Sequence, residues 1–481
     1  MRRRLLLIAL AFAVLLSTAL WLVLQFRPKE PNVGGVPLLT WLSINSFSQI
    51  DKELARIGPE AVPWLIKGLE AQDSALHRLK LKLWRKLPNR LKTKWRNYQP
   101  INPRELRSNS AYALQLFGPE ATQAVPRLIV IARSDPDAFV RQVALSALAQ
   151  MTRDSRQATA ALLEFLQNGD SVLRSQVAGA IYSADIHPIE ALPFLLSQLD
   201  NYQQGNSTSD KPLNEMLAIS RYGAEASNAG PMLIKYITRG EGRGNALSAL
   251  SAIGPAAAPA VPRLLQMLED RTPPGPGEAS LHQMKPSIFQ VFKNTGPSAS
   301  AALPALTNAL QDANGVVRAL AAAAIGRITS DNDFVVPLLV KELENRSWSN
   351  NDQSLSYSGR FLSIGLNSRQ TAAFLLGEIG PSATNALPNL KQSLRSGDLW
   401  LPAFAAQAIW QISSDADAIL PSLTASLHHN DLSRRILTLR VLAQMGPAAK
   451  SAAPAIRDTL KTHMQIRREA REALLRIELS P

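Results

Sequence analysis

Six histidines (His77, His187, His282, His428, His429 and His463) are the residues of this 481-residue chain best suited to hold a metal or pass a proton near neutral pH. None is followed by glutamate, so the H-E-x-x-H pattern is missing, and none pairs with an acid at metal-ligand spacing. His428 and His429 fall at the end of a predicted helix, where exposed turn histidines are the ordinary reading. The absence of cysteine removes a thiolate metal site, a thiol nucleophile, a disulfide framework and a lipidated cysteine together. "GEGRG" at 240–244 has no preceding strand and no following G-K-[ST], so it reads as a turn rather than a phosphate cradle, and G-x-S-x-G does not occur. Aspartates and glutamates mostly take helix-capping positions. The sequence therefore assigns no catalytic residues, no cofactor and no metal.

The chemistry that does stand out is electrostatic. The formal charge is +14, and it is concentrated: from Arg78 to Arg107 there are eleven Lys/Arg against one acid, Glu105. The candidate interaction segment is Arg78, Lys80, Lys82, Arg85, Lys86, Arg90, Lys92, Lys94 and Arg96, with Trp84 and Trp95 interleaved. Leu76, Leu79, Leu83 and Leu87 share one helical face, and Pro88 ends the run. Three readings compete: a structural helix leaning its leucines on the first repeat, contact with anionic lipid, or an acidic polymer or protein partner. Nucleic acid fits the charge alone, but the export expected from the N-terminus speaks against it.

Leu5 to Phe26 is a run of 22 residues without charge, about 33 Å long as a helix, enough to span a hydrocarbon core of roughly 30 Å. Cleavage after Ser17-Thr18-Ala19 would leave "LWLVLQF" as an apolar terminus, so the segment reads as an uncleaved anchor, with a cleaved signal and a buried soluble helix as the other readings. Arg2, Arg3 and Arg4 favour a cytoplasmic N-terminus. The expected organisation is a stub at 1–4, a transmembrane anchor at 5–26, a linker at 27–45 and a repeat body at 46–481. The expected location is a single-pass membrane protein with its body outside the cytoplasm, periplasmic or at the cell surface if the source is bacterial.

The elements that would position any site come from one repeated phrase. Gly-Pro, six residues, then Pro recurs at Gly118-Pro119/Pro126, Gly254-Pro255/Pro262, Gly296-Pro297/Pro304, Gly380-Pro381/Pro388 and Gly446-Pro447/Pro454, with degenerate copies at Gly58/Pro63 and Gly223/Pro231. About eleven units result, each reading as two helices. The first follows the second proline, whose missing N–H costs nothing in a first helical turn. The second follows a capping Asp or Asn and carries Arg four residues on: Asp137/Arg141, Asp170/Arg174, Asn314/Arg318 and Asp431/Arg435. It ends on a glycine in the left-handed region, with proline blocking continuation. Neither helix buries its apolar face alone, so neighbours must stack into one core.

The "GP-x6-P-x-L" phrase and the "D-x3-R-x2-A-x2-A(L/I)" helix resemble the HEAT-repeat family, specifically the HEAT-like repeats also found in phycobilisome-lyase proteins. The resemblance covers roughly 46–481. It implies an all-α fold, an α-solenoid superhelix, and a non-catalytic scaffold that binds other proteins. The lyase relatives attach bilins to client cysteines, but no residue set here maps onto that activity; a lyase-like enzyme accessory is the second reading, and a lipid-surface structural protein using 78–107 the third. The His-Glu pairs by which deoxyhypusine hydroxylase, another protein of this architecture, binds iron are absent. Residues 46–57 read as a lone second helix capping one end of the solenoid, and the other end shows no cap.

Four units carry extra sequence, always between first and second helix: 71–107, 200–214, 270–283 and 345–370. Equivalent loops leave a solenoid along the same edge, so these are expected to form a discontinuous ridge; length drift in tolerant surface loops is the bland alternative.

Overall fold

A computed structural model describes residues 30–72, 74–95, 100–203, 212–239, 242–269, 281–345, 355–359, 362–460 and 464–479. Among these residues eleven outer helices, from Val62–Gly68 to Ala453–Thr459, alternate with twelve inner ones, from Phe47–Ile57 to Met464–Leu479. This is eleven two-helix units behind one leading inner helix, as the phrase count predicts. Each inner helix packs on the next along the chain, and a single apolar core runs from Val33 to Ile477. Small side chains allow that closeness: Ala319 and Ala321 to Ala324 of Gly315–Thr329 are all buried.

The signature residues do structural work. Asp137 Oδ1 accepts from Phe139 N (3.0 Å) and Val140 N (3.1 Å), Asp170 Oδ1 from Leu173 N (2.7 Å), and Asp431 Oδ1 from Arg434 N (2.8 Å). In two units the arginine reaches back to the turn before its own helix: Arg141 Nη1 donates to Asp135 O (2.8 Å) and Arg318 Nη1 to Asp312 O (2.7 Å). It thereby fills a carbonyl that the outer helix leaves open at its end. The other two arginines differ. Arg174 follows a link of only Gly169 and Asp170 and makes no such bond among the described residues. It is half-buried, and its charge acts instead on Glu215 of the next inner helix: burial raises that carboxyl, and hydrogen bonds from its own backbone and Ser175, with the charge of Arg174, offset the rise only in part. Arg435 is buried near Asp51, and burial lowers its pKa against the opposing charge of that aspartate.

The prolines sit one residue deeper than expected. In the five full copies of the phrase the outer helix starts on the residue before its proline, so Pro126, Pro262, Pro304, Pro388 and Pro454 are second in Val125–Ser134, Val261–Glu269, Leu303–Ala309, Leu387–Ser393 and Ala453–Thr459. The correction leaves the physics intact, since N–H groups throughout a first turn have no partner inside the helix. The earlier prolines, Pro119, Pro255, Pro297, Pro381 and Pro447, are second in the 3-10 turns that link inner to outer helix, and Pro259 lies inside the turn Gly254–Ala260.

The glycines differ from expectation in one torsion. Gly254 has φ +64° but ψ −126°, and Gly446 has φ +56° and ψ −133°, so ψ is extended rather than left-handed helical. The next residue is proline, which disfavours a helical ψ before it, and only glycine takes this region without strain.

Inner helices run parallel. Their starts touch their neighbours' starts, as Asn214 Nδ2 donating to Ser175 O (3.0 Å) and Asn245 Nδ2 to Leu213 O (2.8 Å) show. Their ends abut likewise: a Cβ placed on Gly446 would sit 3.7 Å from Arg476 O, and one on Gly254 3.5 Å from Asn294 O. All Gly-Pro turns therefore lie on one face of the assembly, and all outer-to-inner links on the other.

The solenoid is not open-ended. Met464–Leu479 packs on Phe47–Ile57 and Pro103–Phe117, so the last unit closes on the first. Gln465 N donates to Asp51 Oδ1 (2.8 Å), Gln465 Nε2 to the Tyr112 hydroxyl (2.9 Å) and Arg467 Nη2 to Ala55 O (2.9 Å). Arg468 bonds the Gln150 amide oxygen, and Arg471 pairs with Glu120. Phe47 stacks on Tyr112 at 4.2 Å between ring centroids. The missing C-terminal cap has a physical answer, because the first helix covers the last.

Three expectations about the N-terminal region and the insertions change. Residues 30–45, expected as a linker, form the short ladder Asn32–Val33/Val36–Pro37 and the helix Leu38–Leu42, whose Leu38 and Leu42 are fully buried in the body. The 345–370 insertion contains a β-hairpin, Leu355–Gly359 with Leu362–Leu366, paired Leu355↔Leu366 through Gly359↔Leu362. Last, the membrane location is corrected: among the described residues no helix is long and apolar enough to cross a membrane. Even the 16-residue helices Pro188–Gln203 and Met464–Leu479 fall short of the roughly 20 apolar residues a span needs. The stub at 1–4 and the expected span at 5–26 lie outside the described residues.

Candidate interaction face

The four insertions leave from one face, because each joins the end of an outer helix to the start of an inner one and the inner helices are parallel. Residues 204–211 and 270–280 of two insertions, and 346–354 and 360–361 of a third, lie outside the described residues. The strand Leu362–Leu366 buries Leu366 and touches Leu432–Met445, two inner helices further round the ring.

The basic insertion forms a helical arm, Ala75–Lys86 and Asn89–Lys94, broken at Pro88 as expected. Lys92 Nζ donates to Arg85 O (3.0 Å), tying its two helices together. The reading of leucines leaning on the first repeat is not what the arm does: Leu79 is 53% exposed and Leu83 58%, with Leu91 and Trp95 also exposed. The leucine spacing makes an apolar face, and the body leaves that face largely uncovered. Arg78, Lys80, Lys82, Arg85, Lys86 and Arg90 are exposed around it, Lys92 and Trp84 half-buried. Arg96 lies outside the described residues, as do the side chains of Leu76 and Lys94. Arg104 and Arg107, at the end of the same charge run, are absorbed by the body: Arg104 pairs with Asp137 at 2.5 Å and Arg107 with buried Asp135 at 2.6 Å.

Beside the hairpin, a groove of about 1120 Å³ is lined by Glu344, Arg369, Asn389, Arg395 and Asp398. Asp398 organises this part of the face. It accepts from Trp400 N (2.9 Å), Leu401 N (2.8 Å), Gln370 Nε2 (2.8 Å) and Asn367 Nδ2 (3.3 Å), so it starts one inner helix and locks the capping box of the preceding one. Burial alone would raise this carboxyl; the bonds from Leu401, Gln370, Trp400 and Asn367 outweigh it and hold the carboxyl below its usual range. A folded-state value below the unfolded one stabilises the protein above about pH 3.9, and that stability is lost as pH falls through the depressed value. Asp398→Ala is expected to cost about 2 kcal/mol at neutral pH. The gap between wild type and variant in denaturant melts should close below about pH 4; a gap that persists at pH 2 would remove this role.

Two of the described histidines serve turns. His429 Nδ1 accepts from Asp431 N (3.0 Å) and His187 Nδ1 from Ile189 N (3.4 Å). His77, His282 and His463 have side chains outside the described set. Among the described residues no three of His, Asp or Glu converge as a metal site would require. Sequence reasoning missed the closure residues Asp51, Tyr112, Gln465, Arg467 and Arg471, which are separated by up to 414 positions. One signal was available: "MQIRREAREALLRIEL" carries four arginines and three glutamates where other inner helices carry alanine and leucine.

Compared with known proteins, residues 102–182 and 125–203 match the family model described as HEAT repeats. The match carries no support for the narrower phycobilisome-lyase type. No curated protein matches the chain. Among solved structures, an engineered protein is 19% identical, with 74% of this chain and 98% of that one covered and a TM-score of 0.33. The karyopherin Kap121p bound to the extreme C-terminus of the phosphatase Cdc14p is 14% identical, with 87% and 50% covered and a TM-score of 0.34. Kap95p with RanGDP is 12% identical, with 92% and 67% covered and a TM-score of 0.33. This chain thus spans about half the length of Kap121p, and likenesses so distant say nothing of what it binds. The repeated phrase, the helix pairs it punctuates and the family match agree: residues 102–203 carry HEAT repeats, and the same pairing of helices continues to Leu479.

Proposed function

We propose that this protein is a non-catalytic HEAT-repeat scaffold that binds other proteins, and that its insertion face takes an acidic partner through the basic arm. One observation carries the reading: the arm holds an uncovered apolar face, Leu79, Leu83, Leu91 and Trp95, rimmed by cations. Burying each such side chain on a partner is worth about 1.5–3 kcal/mol. The rim steers acidic surfaces and rejects basic ones. The hairpin and the groove lined by Asp398 lie on the same face and extend the surface a partner can cover.

Fluorescence anisotropy of the full chain with a synthetic amphipathic helix of Glu/Leu repeats, against its Lys/Leu counterpart, tests this. The acidic peptide should bind, weakening about tenfold between 50 and 300 mM salt. Leu79→Ser with Leu83→Ser should abolish binding while the melting temperature holds, since exposed positions cost within about 0.5 kcal/mol. Equal binding of both peptides would refute the proposal. Tighter binding to vesicles containing anionic lipid than to the acidic peptide would replace it with a lipid-surface role.

A further inference from the structure

The inner helix Gly315–Thr329 shows no face to the space inside the ring. Every residue from Ala319 to Gly326 is buried, and a run of that length passes through more than two helical turns, so all sides of the helix are covered. Gln290 of Leu281–Thr295 and Phe374 of Ser368–Ile379 line the ring interior, and no residue of the helix between them does. Its two neighbours therefore reach each other across it.

Lys293 and Glu378 make that contact. They stand near the ends of Leu281–Thr295 and Ser368–Ile379, 85 positions apart, and Lys293 Nζ donates to Glu378 Oε2. The Lys293 side chain is 5% exposed and that of Glu378 41%. Among the described residues Glu378 is the one ion-pair or hydrogen-bond partner of this ammonium. A buried ammonium is costly unless it is paired, so the lysine keeps its place only while Glu378 lies within reach. Alanine makes the reach possible: at Ala319 and Ala321 to Ala324 no longer side chain holds the flanking helices apart.

A tie between second neighbours fixes what packing between first neighbours leaves loose. Crossing angles of packed helices scatter by about 15–20°, whereas a bond spanning three helices sets the bend among them. Eleven units close into a ring only if their rotations sum correctly, so slack in one arc appears at the seam. We propose that Lys293–Glu378 is a latch that sets the bend of this arc and, through the summed rotation, holds the last unit on the first. The lysine is its buried jaw and the glutamate its reachable one. The latch is independent of the protein-binding role of the insertion face.

Two spin-label pairs on the full chain, read by double electron–electron resonance, decide it. Gln266→Cys with Lys341→Cys, exposed positions on the outer helices Val261–Glu269 and Asn332–Glu344, reports the bend. Lys52→Cys with Leu475→Cys reports the seam. Lys293→Met removes the buried charge and leaves Glu378 to water, so the protein should melt close to wild type. Release of the inner side lets the outer side close, so the first distance should shorten while the second lengthens and broadens. Glu378→Gln should move both distances the same way, but it strands the ammonium and should also melt early. Arg133→Gln, which breaks the Arg133–Glu164 pair between neighbouring outer helices, should move neither distance. The proposal is overturned if Lys293→Met keeps either wild-type distance, even where Glu378→Gln shifts both, because movement confined to the early-melting protein is damage and not the release of a latch.

Discussion

Arg467→Glu combined with Arg471→Glu opens the ring. Arg467 holds the closure from both sides, with Nη2 on Ala55 O at 2.9 Å and Nε on Leu460 O at 2.7 Å. Burial, opposed only in part by the charges of Glu120 and Asp51, lowers its pKa, so this guanidinium is held in a half-buried place by the bonds it makes. Arg471 pairs with Glu120 across the same seam. Glutamate at both positions deletes these donors and sets new carboxylates against the Ala55 carbonyl, Glu120 and buried Asp51. Each charged hydrogen bond lost at a buried site costs about 1.5–3 kcal/mol, before any repulsion is counted. The joints between other neighbouring units are left untouched. Small-angle scattering should therefore show a larger radius of gyration while far-UV circular dichroism keeps its helical signal. Raising salt on wild type should push in the same direction more weakly, since the exposed Arg471–Glu120 pair is screened. An unchanged radius in the double variant would mean that the seam is held by apolar packing alone.

The largest single-site loss is expected at Arg107. Its guanidinium meets Asp135 twice, Nε to Oδ2 at 2.6 Å and Nη2 to Oδ1 at 3.2 Å, and its third nitrogen reaches Ala71 O at 2.9 Å. The Arg107 side chain is 8% exposed and that of Asp135 2%. Asp135 also accepts from Asp137 N, while Arg141 holds the Asp135 carbonyl, so one turn joins three helices. Arg107→Met leaves a buried carboxylate without its partner and should cost about 3–5 kcal/mol. Arg107→Met with Asp135→Leu removes both charges and should recover most of that loss. In a repeat array the damage stays with neighbouring units, so it should appear as an early transition and as faster amide exchange across 103–151. If the double variant is as damaged as the single one, the cost comes from lost packing rather than from a stranded charge.

The unit was legible in the sequence because each signature residue solves a local problem. Asp137 and Asp431 cap helix starts, Gly254 and Gly446 turn the chain, and Pro126 and Pro304 occupy first turns. Such problems recur identically in every unit, so a one-dimensional pattern records them. Arg174 shows the limit of that record: it keeps the spacing from Asp170, yet behind a link of only two residues it lacks the reach-back bond that Arg141 and Arg318 make. The amphipathic character of Ala75–Lys86 was also legible, but its placement was not. Leucines every three or four residues specify an apolar face without saying whether the body covers it, and Leu83 is left exposed. Closure left almost no trace. It depends on the small rotation from each unit to the next, summed over eleven, and no local motif encodes a sum. Only the charged Met464–Leu479 helix hinted that its outward face meets polar groups rather than another leucine-rich neighbour.

The central claim is a chain of repeated helix pairs whose last unit closes on its first. The absence of cysteine makes a direct measurement simple. Spin labels on Lys52→Cys and Leu475→Cys, both exposed positions on the two helices of the seam, can be read by double electron–electron resonance in the full chain. Packed helices lie about 10 Å apart, so a closed ring predicts one short, narrow distance that lengthens in the Arg467→Glu/Arg471→Glu protein. A long, broad distribution in the wild type would show an open superhelix and contradict the account.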